Sequence, residues 1–301
     1  MNIQTFFTSK IGINLAIFLG KYLSPQQGYF LAKIVAHLVS KRRHSQLIRT
    51  IRANQSVVRG LRLDSPLLDE AVHKVLLNAG RGYYDLYHAL AKNPATLGDL
   101  VELTPEIIPI FINAQQKKQG IVIAIIHSSN FDLAAAAFAH SRFTIQMLTY
   151  PNPTGGYELQ NQLRTNDGYI VTPATRSGLK MALRRLREGG IVLTGIDRPL
   201  ILTKKESPVS FFGKPAHLPT GHIRLAMASN ALLVFASTEQ TDSGKYKVRL
   251  HPPMELIRTG NRQKDILINT ERLLALAEER IRARPEEWMM FFPVWPQVLD
   301  Y

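Results

Sequence analysis

The sequence predicts an α/β protein, a mostly parallel central sheet flanked by helices and preceded by an N-terminal helical region. Three observations carry this. After Gly120 short β-branched runs alternate with helical stretches, the order parallel strands need, since each parallel return requires a crossover. Two of those runs, "IVIAII" at 121–126 and "IVLTGI" at 191–196, are apolar without alternation, as suits strands covered on both faces. Before Gly120 apolar residues instead recur at three- and four-residue spacing, the period of a helix face.

Taken in order, the first element is "IGINLAIFLG", residues 11–20, between Lys10 and Lys21. As a helix it covers roughly 15 Å, half of a hydrocarbon core of roughly 30 Å, so it cannot span a bilayer alone. Its charge and apolar run resemble the start of a signal peptide, but no A-x-A pattern follows and a second apolar helix begins at once in "GYFLAKIVAHLV". The segment therefore reads as an interfacial membrane anchor, with a helix pair packed on its own domain as the alternative. Further helices follow in "SQLIRTIRANQSVV", "SPLLDEAVHKVLLNAGRGYYDLYHAL" and "TPEIIPIFINAQQKK". Ser65 and Pro66 supply an N-cap and first-turn pair, and Thr104, Pro105 and Glu106 repeat the device. The chain is expected to divide into a helical region with its anchor, residues 1–117, and an α/β core, residues 118–301, in one continuous unit.

In the core, "TIQML", "YIVT", "SPVSFF", "ALLVFAS" and "KYKVRLH" add strands to the two apolar runs. "FDLAAAAFAH", "YELQNQLRT", "SGLKMALRRLREG", "GHIRLAMA" and the long "KDILINTERLLALAEERIRA" supply helices. No repeat or low-complexity linker interrupts them.

At the end of the first core strand stand His127 and Asp132. On a regular helix residues five apart are rotated by roughly 140°, so the pair converges only if "HSSN" is a turn and Ser128, Ser129 or Asn130 caps a helix that carries Asp132 in its first turn. That arrangement lies at the carboxyl end of a strand, where open α/β sheets bind ligands. A histidine held by a carboxylate is a general base: one ring nitrogen is fixed and the other is free to take a proton from a hydroxyl. The structural alternative is a satisfied strand-end histidine beside an acid that favours a helix N-terminus.

"HSSNFDLA" resembles the H-x-G-N-W-D/E-L-A block of the lipid A biosynthesis lauroyl/myristoyl acyltransferase family, which includes phosphatidylinositol mannoside acyltransferases. That family belongs to the lysophospholipid and glycerophosphate acyltransferase superfamily with its His-x-x-x-x-Asp motif. Later blocks agree in order: "LQNQLRTNDG", "LREGGIVLTGIDRP", "SPVSFFGKPAHLPTGHIRLAMASNALLVF" and "PEEWMMFFPVW" are each similar to a family segment, so the likeness covers about residues 25–296. It implies a glycerophosphate acyltransferase-like fold in which His127 takes the proton from an acceptor hydroxyl, Asp132 orients it, and the alkoxide attacks a thioester. By the same resemblance Arg164 meets a charged part of donor or acceptor and Asp197 supports the site from a neighbouring strand end. Gly213 in "FFGKPA" reads first as a turn residue and second as a substrate-binding position where the backbone approaches a ligand. The implied donor is an acyl carrier protein or acyl-CoA, and the acceptor a glycolipid or lysophospholipid. The implied place is the cytoplasmic face of the membrane, as a peripheral or monotopic protein. The chain departs from the family pattern at Ile126, Ser129, Phe131 and in "MMFFPVW", which bears on substrate identity.

Composition sets the remaining bounds. With 37 Lys and Arg against 23 Asp and Glu, the formal charge of +14 favours anionic partners such as phospholipid surfaces, phosphorylated carriers or acidic proteins. Basic clusters stand at "KRRH", residues 41–44, at Arg184, Arg185 and Arg187, and at Lys204 and Lys205. No nucleic-acid module accompanies them, so nucleic acid is not an expected partner. The absence of cysteine removes disulfides and thiolate metal sites. His217 and His222 in "HLPTGH" have no third ligand at metal spacing, and neither G-x-G-x-x-G, a Walker loop nor G-x-S-x-G occurs. No metal or cofactor is expected. Two other functions fit the same residues: a thioester or lipid ester hydrolase with water as acceptor, and a catalytically inactive lipid-binding protein.

Overall fold

The computed structural model describes residues 9–92, 97–105, 107–139, 143–153, 155–199 and 207–299. Four helices open the chain: α1 (Lys10–Tyr22), α2 (Pro25–Ser40), α3 (Gln46–Arg59) and α4 (Leu67–Ala91). Each start but the last has a side-chain cap. The Ser9 hydroxyl accepts from Gly12 N at 3.0 Å, Ser24 and Gln27 form a reciprocal capping box, and Ser45 caps α3. At α4 the expected Ser65–Pro66 device is displaced by one residue: Pro66 itself is the cap, and no side chain satisfies the first turn. Thr104 lends its carbonyl to Ile107 N at 3.0 Å, while Glu106 lies outside the described residues.

Short α5 (Leu97–Leu100) leads into strand β1 (Val101–Leu103), which lies inside the stretch read as helical. Three residues carry no readable period, and β1 exists because it pairs with a strand that arrives much later in the chain. Then come α6 (Ile107–Gln116), β2 (Ile121–Ile125), α7 (Phe131–Ala139), β3 (Ile145–Thr149), α8 (Gly156–Asn166), β4 (Ile170–Pro173), α9 (Arg176–Arg187) and β5 (Ile191–Gly195). After the hairpin β6 (Val209–Phe211) and β7 (Lys214–Ala216) follow α10 (Gly221–Ser229), β8 (Leu232–Gln240), β9 (Tyr246–Leu250) and α11 (Arg262–Ala283).

The main sheet has the order β1-β9-β8-β2-β5-β3-β4, parallel throughout except between β8 and β9. Alternate residues of β2 explain its unbroken apolarity. Val122, Ala124 and Ile126 join Leu274 and Ala277 of α11 in one core, and Ile121 and Ile123 join Ile107 and Phe111 of α6 in another. The tip of the β6–β7 hairpin holds Phe212 and Gly213 at φ +52° and +68°, two consecutive left-handed residues as the tightest hairpin turn requires. Gly213 therefore serves a turn, the first of its two expected roles.

The segment after α11 is fastened to the N-terminal helices. The Asn54 amide donates to the carbonyls of Met290 and Phe292 at 3.0 and 2.9 Å and accepts from Val294 N at 3.2 Å. Gln55 and Asn78 donate to the carbonyls of Pro285 and Glu286. "PEEWMMFFPVW" is thereby held against the central sheet, with Phe211 stacked on Trp295 at 5.5 Å. No described helix is long and apolar enough to cross a membrane.

Candidate active site

Strands β2 and β5 are parallel neighbours with Ile125 opposite Gly195. Ile196 N donates to the Ile125 carbonyl at 3.0 Å, so pairing runs just past both strand ends. Two residues beyond the last matched pair, His127 and Asp197 come side by side at the carboxyl edge of the sheet, where ligands of open α/β folds bind.

Asp197 has no exposed surface, and its carboxylate accepts three hydrogen bonds: from His127 Nδ1 at 2.6 Å, from the His127 backbone N at 2.9 Å and from Trp288 Nε1 at 2.8 Å. Burial works to raise this carboxyl, but the His127 charge and the three donors outweigh it and hold it below the ordinary carboxylate range. An ionised carboxylate only accepts, so Nδ1 carries a proton, and in the neutral ring Nε2 presents its lone pair. The His127 side chain is 25% exposed, and Nε2 has no hydrogen bond to a described residue. Phe131 meets the ring edge-on at 4.9 Å.

The carboxylate on His127 is thus Asp197, where Asp132 was expected. Asp132 instead accepts from Arg164 of α8, at 2.7 Å from Nη2 and 3.2 Å from Nε. The turn explains the exchange. Ser129 is left-handed at φ +47°, and Asn130 becomes the cap, its Oδ1 accepting from Leu133 N at 3.2 Å. Asp132 then rides on the first turn of α7 and meets the guanidinium of α8, while the strand register has already filled Nδ1 with Asp197. Ser129 stands where the family block has glycine, the residue that adopts this backbone without strain. Four of the five residues singled out in the sequence therefore form two pairs at one sheet edge, and Gly213 at its hairpin tip is not brought together with them.

Other participants had no sequence signature of their own. Trp288 lies in the noted end block, but its bond to Asp197 depends on a bridge between Ser128 and Trp288 and on Met289 N donating to the His127 carbonyl at 2.8 Å. Tyr87 of α4 and Tyr157 of α8 surround the Asp132–Arg164 pair. Burial, helped by Asp132, pushes the Tyr87 phenol up to about 12, and burial likewise raises Tyr157 against the pull of Arg198 and Arg164. Both stay neutral hydroxyls. Beneath Phe131 lies an apolar cavity of about 60 Å³ walled by Ile125, Phe131, Ala135, Phe138, Phe111 and Leu193.

The sequence model of the bacterial lipid A biosynthesis acyltransferases matches residues 73–297, three quarters of the chain. Among curated relatives, the phosphatidylinositol mannoside acyltransferases of two Mycobacterium tuberculosis strains are each 27% identical over 181 residues, 58% of this chain and 54% of the relative. A protein of the same name from Mycolicibacterium smegmatis is 23% identical over 232 residues, 75% of this chain and 73% of the relative. The chain spans about half the length of the two tuberculosis relatives.

Proposed function

Because the chain belongs to the bacterial lipid A biosynthesis acyltransferase family, we propose that it moves a fatty acyl chain from a thioester, on acyl carrier protein or coenzyme A, to a hydroxyl of a glycolipid or lysophospholipid. The observation that carries this reading is the His127–Asp197 pair, with Nδ1 held on a buried carboxylate and Nε2 left to the cleft. Nε2 takes the proton of the acceptor hydroxyl as its oxygen bonds to the thioester carbonyl carbon. The resulting imidazolium is stabilised by Asp197. Collapse of the tetrahedral intermediate breaks the carbon–sulfur bond, and the imidazolium returns the proton to the departing thiolate. Ester and thiol are the products, and no cofactor is consumed.

The other features fit. Arg164, its charge balanced by Asp132, has N–H groups to orient a polar part of donor or acceptor. The apolar cavity under Phe131 suits the first methylenes of an acyl chain beside the base. The surface of the N-terminal helices supports membrane-face work as a peripheral or monotopic protein on the cytoplasmic side. Ile11, Leu15, Phe18 and Tyr22 form one exposed row on α1, and Phe30, Ile34 and Leu38 form another on α2, with exposed Lys10, Lys21, Lys33, Lys41, Arg42 and Arg43 around them.

The test incubates purified protein with acyl-CoA or acyl carrier protein thioester, with and without a bacterial lipid extract, and reads lipids by mass spectrometry. Thioester consumption is expected only with lipid present. His127→Ala is expected to lose about 10²- to 10⁴-fold in rate with an unchanged circular dichroism spectrum, and Asp197→Asn to lose a large part of that. Thioester loss indifferent to lipid makes the protein a hydrolase, and vesicle binding without any transfer makes it a lipid-binding protein.

A further inference from the structure

Arg198 directly follows Asp197 and takes no part in the chemistry above. Its guanidinium carbon lies 4.0 Å from the ring centre of Phe292, 4.4 Å from Tyr150 and 4.9 Å from Tyr157. The three rings come from three parts of the fold: the loop after β3, helix α8 and the segment fastened by Asn54. Pro199 narrows the backbone freedom of Arg198 further. The cage is thus built around a cation whose position is fixed by its neighbours.

No acid among the described residues pairs with this cation, whereas Arg52, Arg59, Arg164 and Arg249 are each paired with a carboxylate. A half-buried charge loses hydration, and aromatic faces return part of that cost. Tyr157 also takes a hydrogen bond from this guanidinium, and the other N–H donors of the fork remain for an oxyanion. Arg198 is the chain neighbour of Asp197, and Tyr157 of its cage also feels the charge of Arg164.

We propose that Arg198 is the phosphate subsite of the cleft, taking an ester phosphate of the donor or of the acceptor. This rests on the transfer reading for the choice of phosphate. Acyl carrier protein and coenzyme A both carry a phosphate ester on the pantetheine arm that bears the thioester, and a lysophospholipid acceptor carries a phosphodiester near the hydroxyl to be acylated.

Two paired comparisons separate the sources. Calorimetric titrations of the protein compare coenzyme A with pantetheine, and glycerol 3-phosphate with glycerol. Steady-state transfer compares palmitoyl-CoA with palmitoyl-pantetheine, and lysophosphatidylglycerol with monoacylglycerol. In wild type the phosphate-bearing member of at least one pair is preferred, and Arg198→Gln is expected to shrink that preference about 10-fold or more. Arg198→Lys, which keeps the charge and loses the fork, is expected to fall between. The pair that collapses names the source. Unchanged preferences in Arg198→Gln overturn the subsite. Should Arg198→Gln lose its native circular dichroism, Arg198→Lys decides: a preference lowered at least 3-fold supports the subsite, and an unchanged one overturns it. Binding needs no turnover. A protein that transfers nothing yet binds a phosphate probe through Arg198 refutes the transfer reading and keeps the subsite, whereas active transfer indifferent to Arg198 does the reverse.

Discussion

A Cβ built on Gly195 stands 3.0 Å from Cε1 of His127, closer than nearly all real contacts, so the imidazole rests on a residue with no side chain. Gly195→Ala makes the ring give by a few tenths of an ångström, where a full displacement on the order of 1 Å costs up to about 10²-fold in a positioned reaction. The expected outcome is a fall in kcat of up to about 10-fold, with thermal stability changed by less than that of a core substitution. Unaltered turnover shows that the ring has room. His127, Asp132, Arg164 and Asp197 were all legible as chemistry-bearing residues, but their pairing was not. Five-residue spacing suggested that Asp132 would reach His127, whereas the partner is set by which strand lies beside β2 and in what register. Register between strands seventy residues apart leaves no local trace. Gly195 and Trp288 were hidden for the same reason, since a glycine at a strand end and a tryptophan in an apolar block have ordinary meanings until their neighbours are known.

Helix α10 carries an element-scale oddity. His222 is 2% exposed, and neither ring nitrogen has a hydrogen-bond partner among the described residues, so burial lowers its pKa to about 3. The unfolded imidazole titrates near its ordinary value of about 6.5. Above that pH both states are neutral and nothing is lost. Below it the unfolded chain binds a proton that the folded helix refuses, so stability falls by about 1.4 kcal/mol per pH unit until about pH 3. His222→Leu is expected to remove this slope, read as the difference between the two proteins' denaturation midpoints across pH 4–8. A difference that does not grow as pH falls shows that the ring finds a partner in solution. Elements with a long apolar period were legible because burial of one face or two writes itself into the sequence. The alternation after Gly120 gave the crossover order, and "IVIAII" and "IVLTGI" became the central pair β2 and β5. Strand β1 was not legible, as its three residues are a strand only because β9 is beside them.

Across the whole molecule, apolar rows on α1 and α2 and an excess of basic residues lie on helices that reach the site. Lys10 of α1 pairs with Glu158 of α8 at 3.2 Å, and α8 carries Arg164. Phe18 and Phe30 are 57% and 66% exposed. Replacing both by serine leaves folding stability within about 0.5 kcal/mol, as for other surface changes, and lowers binding to anionic phospholipid vesicles in sedimentation about 10-fold or more. Undiminished sedimentation assigns those rows to something other than lipid. Because α1 abuts the helix that holds Arg164, a molecule seated by these rows meets its acceptor in two dimensions. Its velocity would then follow the mole fraction of that lipid in the bilayer, so that inert lipid added at constant acceptor slows turnover by dilution, while a larger volume of buffer leaves it untouched.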